Sequence, residues 1–227
     1  VPFKYWTFSY NYDNSEYLRS ILALGRTYKA TGKTENQTFA IRKMLHRNEN
    51  HKIDIGAKIT LKDSKNYIDD VRLVSNSRKL SVLTVDTTYT GRIFSGLLSA
   101  NLGVSFGLKR FAANNDSEEW YRNEYTPKAQ FRKYNMNVSW YKPINKFYYK
   151  TNIVGQYSKD ILYSQEKIGI GDDTSVRGFK DESTQGDKGF YIRNEIGYKG
   201  NQFLEPYIAY DYGRVFNNKV NEDKVET

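Results

Sequence analysis

Apolar and polar residues alternate one for one along much of this sequence, and that alternation constrains the fold more than any other feature. Segments 53–62, 97–109 and 131–141 show the pattern most regularly. Successive side chains of a β-strand point to opposite faces, so each segment predicts a strand with one apolar and one polar face. Most of the segments run for about 9–12 residues, which suits a tilted strand crossing a bilayer and exceeds the usual strand length in globular sheets.

The whole pattern predicts about ten strands in an antiparallel, all-β chain. We predict them at 3–12, 17–28, 38–47, 53–62, 80–90, 97–109, 131–141, 147–157, 190–199 and 203–214.

The connections between these strands alternate strictly in length. Short turns are predicted at 13–16, 48–51, 91–93, 142–146 and 200–202, and long polar loops at 29–37, 63–79, 110–129 and 158–189. Outer-membrane barrels have short periplasmic turns and longer external loops, whereas a soluble sandwich has no reason to sort its loops by end. The sequence therefore predicts a transmembrane antiparallel β-barrel, with 63–79, 110–129 and 158–189 at one end and 48–51 and 142–146 at the other.

Composition agrees with a barrel and excludes a helical membrane protein. No run of eighteen apolar residues exists, so we predict no transmembrane helix. Aromatic residues make up 15% of the chain and include 20 tyrosines, which suit a membrane boundary. The net charge is +9, but no nucleic-acid-binding motif accompanies it, so we expect no nucleic acid partner. Solvated loops and the phosphates of lipopolysaccharide explain the charge.

No group of residues indicates an enzyme, a metal or a cofactor. His46 and His51 lack ligands of suitable spacing, and the chain contains no cysteine. Gly169 and Gly171 lie in a loop that no helix follows, unlike a phosphate-binding loop. Nothing assembles a nucleophile with a base, so we expect no catalytic residue.

The sequence Val176-Arg177-Gly178-Phe179 lies in the last long loop, and a glycine-punctuated strand runs from Gly186 to Glu195. Together they resemble the loop signature of the FhaC/ShlB/HecB family, the outer-membrane transporters of two-partner secretion. The resemblance implies that loop 158–189 folds back into the barrel lumen with Arg177 at its functional tip. Gly178 would let the tip turn sharply, and Phe179 would anchor it.

The same resemblance implies an acidic partner for Arg177 on the second strand after the loop. The segment from Tyr207 to Val215 contains the ending Asp-x-Gly-Arg-Val and resembles that strand, although Ala209 stands where relatives often have Phe or Gly. Parity gives an independent check, because Asp211 lies on the face opposite Ile208, Tyr210 and Tyr212 and therefore points into the lumen. Arg193, Glu195 and Gly213 share the lumen side and are candidates for supporting the loop.

In the family, a sixteen-stranded barrel follows periplasmic POTRA modules. By resemblance, residues 1–227 are a partial barrel holding about ten of the sixteen strands, the fourth to the thirteenth, without the POTRA modules or the closing strands. No signal peptide is apparent, so we expect the natural N-terminus to lie upstream. The expected partners are an unfolded secreted exoprotein, such as a haemolysin or adhesin, and outer-membrane lipid and lipopolysaccharide, with the barrel monomeric in the bacterial outer membrane.

Three other interpretations stay open at this point. A barrel insertase of the BamA/TamA type shares the arginine loop, a passive porin would have no need of it, and a soluble carbohydrate-binding β protein would also alternate. Side-chain orientation tests the barrel. Trp6, Leu102, Val104, Met136 and Trp140 should point outward, and Lys58, Asn101, Asn135 and Asn137 inward.

Overall fold

The computed structural model describes residues 2–23, 25–73, 77–118, 126–177, 183–200 and 204–218. Its strands are β1 Pro2–Phe3, β2 Trp6–Ala23, β3 Arg26–Arg47, β4 His51–Ile68, β5 Val71–Arg72, β6 Arg78–Ile93, β7 Gly96–Leu108, β8 Arg132–Ile144, β9 Phe147–Ser158, β10 Ile168–Ile170, β11 Thr184–Gly186, β12 Lys188–Tyr198 and β13 Tyr207–Phe216. One turn of 3-10 helix spans Ser164–Glu166. Among the described residues, no helix is long and apolar enough to cross a membrane.

The strands form one antiparallel meander, which confirms the predicted all-β class. An 11-stranded sheet runs in the order β1-β2-β3-β4-β6-β7-β8-β9-β12-β13, and β5 pairs with β4. Strands β10 and β11 form a separate two-stranded ribbon within the connection between β9 and β12. Each long strand therefore pairs with the next long strand along the chain, as in an up-and-down barrel wall.

The two faces of the sheet differ in chemistry. One row of paired residues crosses seven strands on what we call the outer face: Phe8, Ile41, Ala57, Val85, Val104, Tyr134 and Tyr157. The neighbouring row crosses the opposite, inner face: Arg42, Gly56, Asp86, Gly103, Asn135 and Gln156. The outer face is apolar and the inner face polar, as expected of a wall between lipid and a wet lumen.

The predicted orientations are confirmed. Leu102 pairs with Met136 on the outer face and is 57% exposed. Asn101 faces inward and donates to the Asp86 carboxylate at 2.8 Å. The strand registers place Trp6, Val104 and Trp140 on the outer face, and Lys58, Asn135 and Asn137 on the inner face.

The two ends of the sheet also differ. Connections 48–50, 94–95 and 145–146 lie at one end, which we call the turn end, together with 199–206. Connections 69–77, 109–131 and 159–187 lie at the other, the loop end. The predicted grouping of the three long loops is therefore confirmed. Residues 74–76, 119–125 and 178–182 of these loops, and 201–203 at the turn end, lie outside the described residues.

Three of the predicted connections are wrong. The predicted turn at 91–93 lies inside β6, and the chain turns at 94–95 instead. The predicted turn at 13–16 lies inside β2, and the predicted loop at 29–37 lies inside β3. These residues pair with one another along the hairpin, for example Asp13 with Asn36, so the backbone hydrogen bonds of the polar segment are satisfied without an apolar face.

The chain turns instead beside Gly25, whose φ of 72° is a left-handed conformation that favours glycine. The three predicted strands 3–12, 17–28 and 38–47 therefore form the two strands of one hairpin, which leaves nine long strands instead of ten.

The densest apolar packing lies on the inner side near the loop end. Leu80 and Val82 of β6 are buried beneath Ala129, Phe131, Leu162 and Tyr163. Those four residues belong to the connections 109–131 and 159–187. The cluster fixes the base of both long loops against the wall.

Candidate functional site

The connection 159–187 folds on itself before it reaches the wall. Strand β10 pairs with β11 in register, Gly169 opposite Gln185, so the loop is a short ribbon with its tip beyond Ile170. The ribbon lies against β12 and β13, because a Cβ built on Gly213 would approach Ile170 Cγ2 at 3.4 Å. The loop therefore covers the inner face and does not extend into solvent.

A tight turn precedes Arg177 and sets its direction. Gly171 has a φ of 99°, and the Asp172 carboxylate accepts hydrogen bonds from the backbone N–H groups of Thr174 and Ser175 at 2.9 and 2.7 Å. The hydroxyls of Ser175 and Thr174 also donate to this carboxylate, each at 2.8 Å, and lower the pKa of Asp172. The side chain of Asp172 thus builds an Asx-type turn that aims the following residues at the wall.

Arg177 forms a bidentate ion pair with Asp211 of β13. Its Nε donates to Asp211 Oδ2 at 2.7 Å, and its Nη2 donates to Oδ1 at 2.8 Å. The backbone N–H of Arg177 reaches the same Oδ2 at 3.1 Å. The hydrogen bonds to Asp211 raise the pKa of Arg177 above its already high value, so the guanidinium stays charged at any pH the protein meets.

A second carboxylate completes the arginine's contacts. Arg177 Nη1 donates to Glu195 Oε2 at 3.1 Å, and Tyr148 donates its hydroxyl to Glu195 Oε1 at 2.9 Å. The guanidinium carbon also lies 5.9 Å from the Tyr207 ring centroid. Arg177 therefore joins β12 and β13 at one point, with β9 supporting it through Tyr148.

The other predicted support residues lie around this ion pair. Arg193 Nη1 donates to the backbone oxygen of Thr174 at 2.7 Å and holds the turn. Gly213 leaves room for the loop, because a Cβ there would lie 2.8 Å from Val176 Cγ2. The structure thus brings Val176, Arg177, Arg193, Glu195, Asp211 and Gly213 together, and their role in transport stays a prediction. Gly178 and Phe179 lie outside the described residues.

Two buried carboxylates of the loop were not predicted from the sequence. Asp187 is 0% exposed and accepts hydrogen bonds from the backbone N–H groups of Leu162 at 2.7 Å and Asn218 at 2.8 Å. It ties both ends of the loop to the chain leaving β13. The sequence marks it only as the second residue of the glycine-punctuated segment from Gly186 to Glu195. Glu166 is 3% exposed and pairs with Lys62 and Lys133, partners that nothing in the sequence indicates.

The geometry suits binding and release and not covalent chemistry. Charged groups on the loop are held by opposite charges on the wall, and such contacts can exchange for others without a bond being broken. Within the described ranges, no group of three or more His, Cys, Asp or Glu residues could hold a metal ion. The His46 and His51 rings face each other with centroids 5.1 Å apart at the turn end, far along the chain from Arg177.

Comparison with known proteins identifies the family. The family model for the haemolysin secretion/activation protein ShlB/FhaC/HecB matches residues 1–225. The outer membrane transporter CdiB of Dickeya dadantii is 27% identical over 98% of this chain and 40% of its own length. The outer membrane transporter CdiB of Escherichia coli strain 536 is 31% identical over 92% of this chain and 35% of its own length.

A solved structure of CdiB from Escherichia coli superposes with a TM-score of 0.88 at 28% identity, over 98% of this chain and 42% of that one. The chain thus spans about two fifths of the length of these relatives. The family match covers nearly all of the sequence, including the arginine loop and the strand that carries Asp211. The chain belongs to the haemolysin secretion/activation family ShlB/FhaC/HecB.

Proposed function

We propose that this chain is the larger part of an outer-membrane barrel that exports a partner protein in two-partner secretion. The partner is an unfolded secreted exoprotein of the haemolysin or adhesin type. By the same proposal, POTRA modules precede the barrel in the whole protein and further strands close it. The names of the relatives and the polar inner face support this function.

The observation that carries the mechanism is the ion pair between loop and wall. A loop that covers the inner face obstructs the path of a polypeptide, so transport requires a second state with the loop displaced. The bidentate pair between Arg177 and Asp211 favours the covered state. An exporting chain then shifts the population by binding the open state better.

Alanine substitution of the paired residues tests this mechanism. Transport by this mechanism uses both states, so a loop that has lost its docked position should not support it. Arg177→Ala, Asp211→Ala and the double variant should therefore each reduce export of the partner while the barrel keeps its resistance to heat denaturation. The double variant should be no worse than either single variant, because the two residues act as a pair. Arg72→Ala, an exposed arginine of β5, is the control and should export normally. Additive losses from Arg177→Ala and Asp211→Ala would contradict the pairing mechanism.

We further propose that the protein is a monomer in the outer membrane and that its outer face contacts lipid. This face binds lipopolysaccharide at its loop end. Arg132 and Lys159 line an open cavity of about 480 Å³ beside Phe106, Tyr134 and Tyr157. Neither cation forms an ion pair with any described residue, so both are available to lipid phosphates, while the aromatic rings suit acyl chains. Lipopolysaccharide retained by the purified protein should fall in the variant with Arg132→Ala and Lys159→Ala, and unchanged retention would contradict this site.

A further inference from the structure

Glu166 is a loop carboxylate held by two lysines that lie far apart in the sheet. Lys62 belongs to β4 and donates to Glu166 Oε1, whereas Lys133 belongs to β8 and lies 2.8 Å from Oε2. Strands β6 and β7 separate β4 from β8 in the sheet. One side chain of the loop therefore spans four strands of the inner wall.

Both carboxylate oxygens and the backbone oxygen of Glu166 have partners on the inner wall. Its carboxylate is 3% exposed, and its backbone oxygen accepts from Gln156 Nε2 at 2.9 Å and from Lys133 Nζ at 3.0 Å. A carboxylate this buried needs partners for both oxygens, and each has a lysine. The two lysines thus act as a receptor for one carboxylate.

The wall around this receptor has spare positive charge. A cavity of about 380 Å³ adjoins Glu166, and its lining includes Lys58 as well as Lys62 and Lys133. Counting Arg42, the lining carries four cations against two carboxylates, those of Asp86 and Glu166, a net +2. Lys58 pairs with no carboxylate among the described residues, so the wall can accept a further anion beside Glu166.

The loop contacts the wall at two points, and its charge at one point is opposite to its charge at the other. Glu166 brings a negative charge to wall lysines, and Arg177 brings a positive charge to the wall carboxylates of Asp211 and Glu195. Reversing the loop on the wall would place like charges together at both sites. The pattern therefore fixes the orientation of the loop as well as its attachment.

We infer that Lys62 and Lys133 form a carboxylate-binding site of the inner wall, that the loop's own Glu166 occupies it at rest, and that an acidic segment of the exported chain takes its place. This inference rests on the proposed function. It names the chemistry of the partner that opens the loop: carboxylate side chains that bind the lysines and the cavity beside them. Glu166 is a positioning residue, since it acts by holding the loop and not by transport itself.

A distance measurement on the full-length protein tests the inference. The chain has no cysteine, so spin labels can be placed at D173C on the loop and S139C on the inner wall. The distance between them, measured by pulsed electron paramagnetic resonance, reports loop displacement. Glu166→Gln should raise the displaced population about tenfold or more, because a charged hydrogen-bonded pair is lost. Glu35→Gln is the matched control, since Glu35 is also paired with a lysine, Lys33 at 3.0 Å, but on the outer face. It should leave the displaced population unchanged.

The ligand is tested without a loop substitution. A short peptide of alternating Glu and Ser should displace the loop of the otherwise unchanged labelled protein, and the Gln and Ser peptide should not. In the variant with Lys62→Gln and Lys133→Gln, the acidic peptide should lose this effect. Equal action of the two peptides, or an unaltered acidic-peptide effect in that variant, would overturn the inference.

The two proposals fail in different ways. If Arg177→Ala displaces the loop and reduces export while Glu166→Gln behaves like Glu35→Gln, the carboxylate site is wrong and the proposed function stands. If Arg177→Ala changes neither the loop nor export, the proposed function itself is wrong.

Discussion

Close contact at Gly213 makes loop docking sensitive to a single methyl group. A Cβ at this position would lie 2.8 Å from Val176 Cγ2 and 3.0 Å from Tyr191 Cβ. Gly213→Ala should therefore weaken docking by about 1–3 kcal/mol, the usual cost of overpacking, without changing any charge. Spin-label distances between loop and wall measure the effect. Gly155→Ala is the control, since its Cβ would meet Met136 only at 3.5 Å, and an equal response of the two variants would contradict the docking geometry.

The Glu166 contact also predicts a pH dependence. Burial alone would raise the pKa of Glu166, but the charges of Lys133 and Lys62 outweigh burial and lower it below the ordinary value. A pKa that is lower in the docked state stabilises docking above the free value, near 4.3, and loses that effect as the pH falls further. The groups that face Glu166 are Lys62, Lys133 and Lys58.

We therefore expect the loop to stay docked from pH 7 to about pH 4.3 and to be released only at lower pH. Titration of the spin-label distance measures this release, and Glu166→Gln removes this contribution from the titration. A wild-type loop that leaves the wall near pH 6 would contradict the contact.

The local sequence predicts some residues of the site and gives no indication of others. Arg177 and Asp211 were predicted because a motif marks one and strand parity orients the other. Glu166 was not, because its partner Lys62 lies 104 positions away and each is one charge among many in the sequence. Pairing of that kind depends on how the loop lies across the strands and leaves no local pattern.

At the scale of elements, the hairpin of β2 and β3 shows where composition misleads. Its 18 and 22 residues far exceed the 9–11 that a tilted strand needs to cross a bilayer. The polar residues at 13–16 and 29–37 resemble a turn and a loop because no apolar face is required beyond the membrane. Alternation predicted the membrane part of these strands well, since lipid demands an apolar side there.

The extended hairpin predicts where insertions are tolerated. A four-residue insertion between Asn14 and Ser15 should prevent assembly, because it shifts the register of every pair beyond it. The same insertion after Gly25 should leave assembly intact, since it only lengthens a turn. Heat-dependent gel mobility of the barrel measures assembly. If the variant with the insertion between Asn14 and Ser15 assembles as well as the other, the result contradicts a continuous β2 and favours a turn at 13–16.

At the scale of the whole molecule, the fold separates the wall from a movable part. Residues of the outer face are held by continuous strand pairing. Beyond the apolar cluster at its base, the loop is held on the inner face by ion pairs at Arg177 and Glu166 and by the packing of Val176. Ion pairs and one small apolar contact can be exchanged while the strands stay paired. By the proposed mechanism, the molecule combines a wall of paired strands with a loop that leaves it during export.

A reversible disulfide between loop and wall tests this account most directly. A Cβ at Gly213 would lie 2.8 Å from Val176 Cγ2, a contact within reach of a disulfide between the two positions, and no native cysteine of this chain interferes. We predict that the full-length protein with V176C and G213C assembles in the membrane, fails to export its partner when oxidised, and recovers export when a reductant is added. Each single cysteine variant should export equally with and without reductant. Undiminished export from the oxidised, cross-linked protein would contradict the claim that the loop must leave the wall.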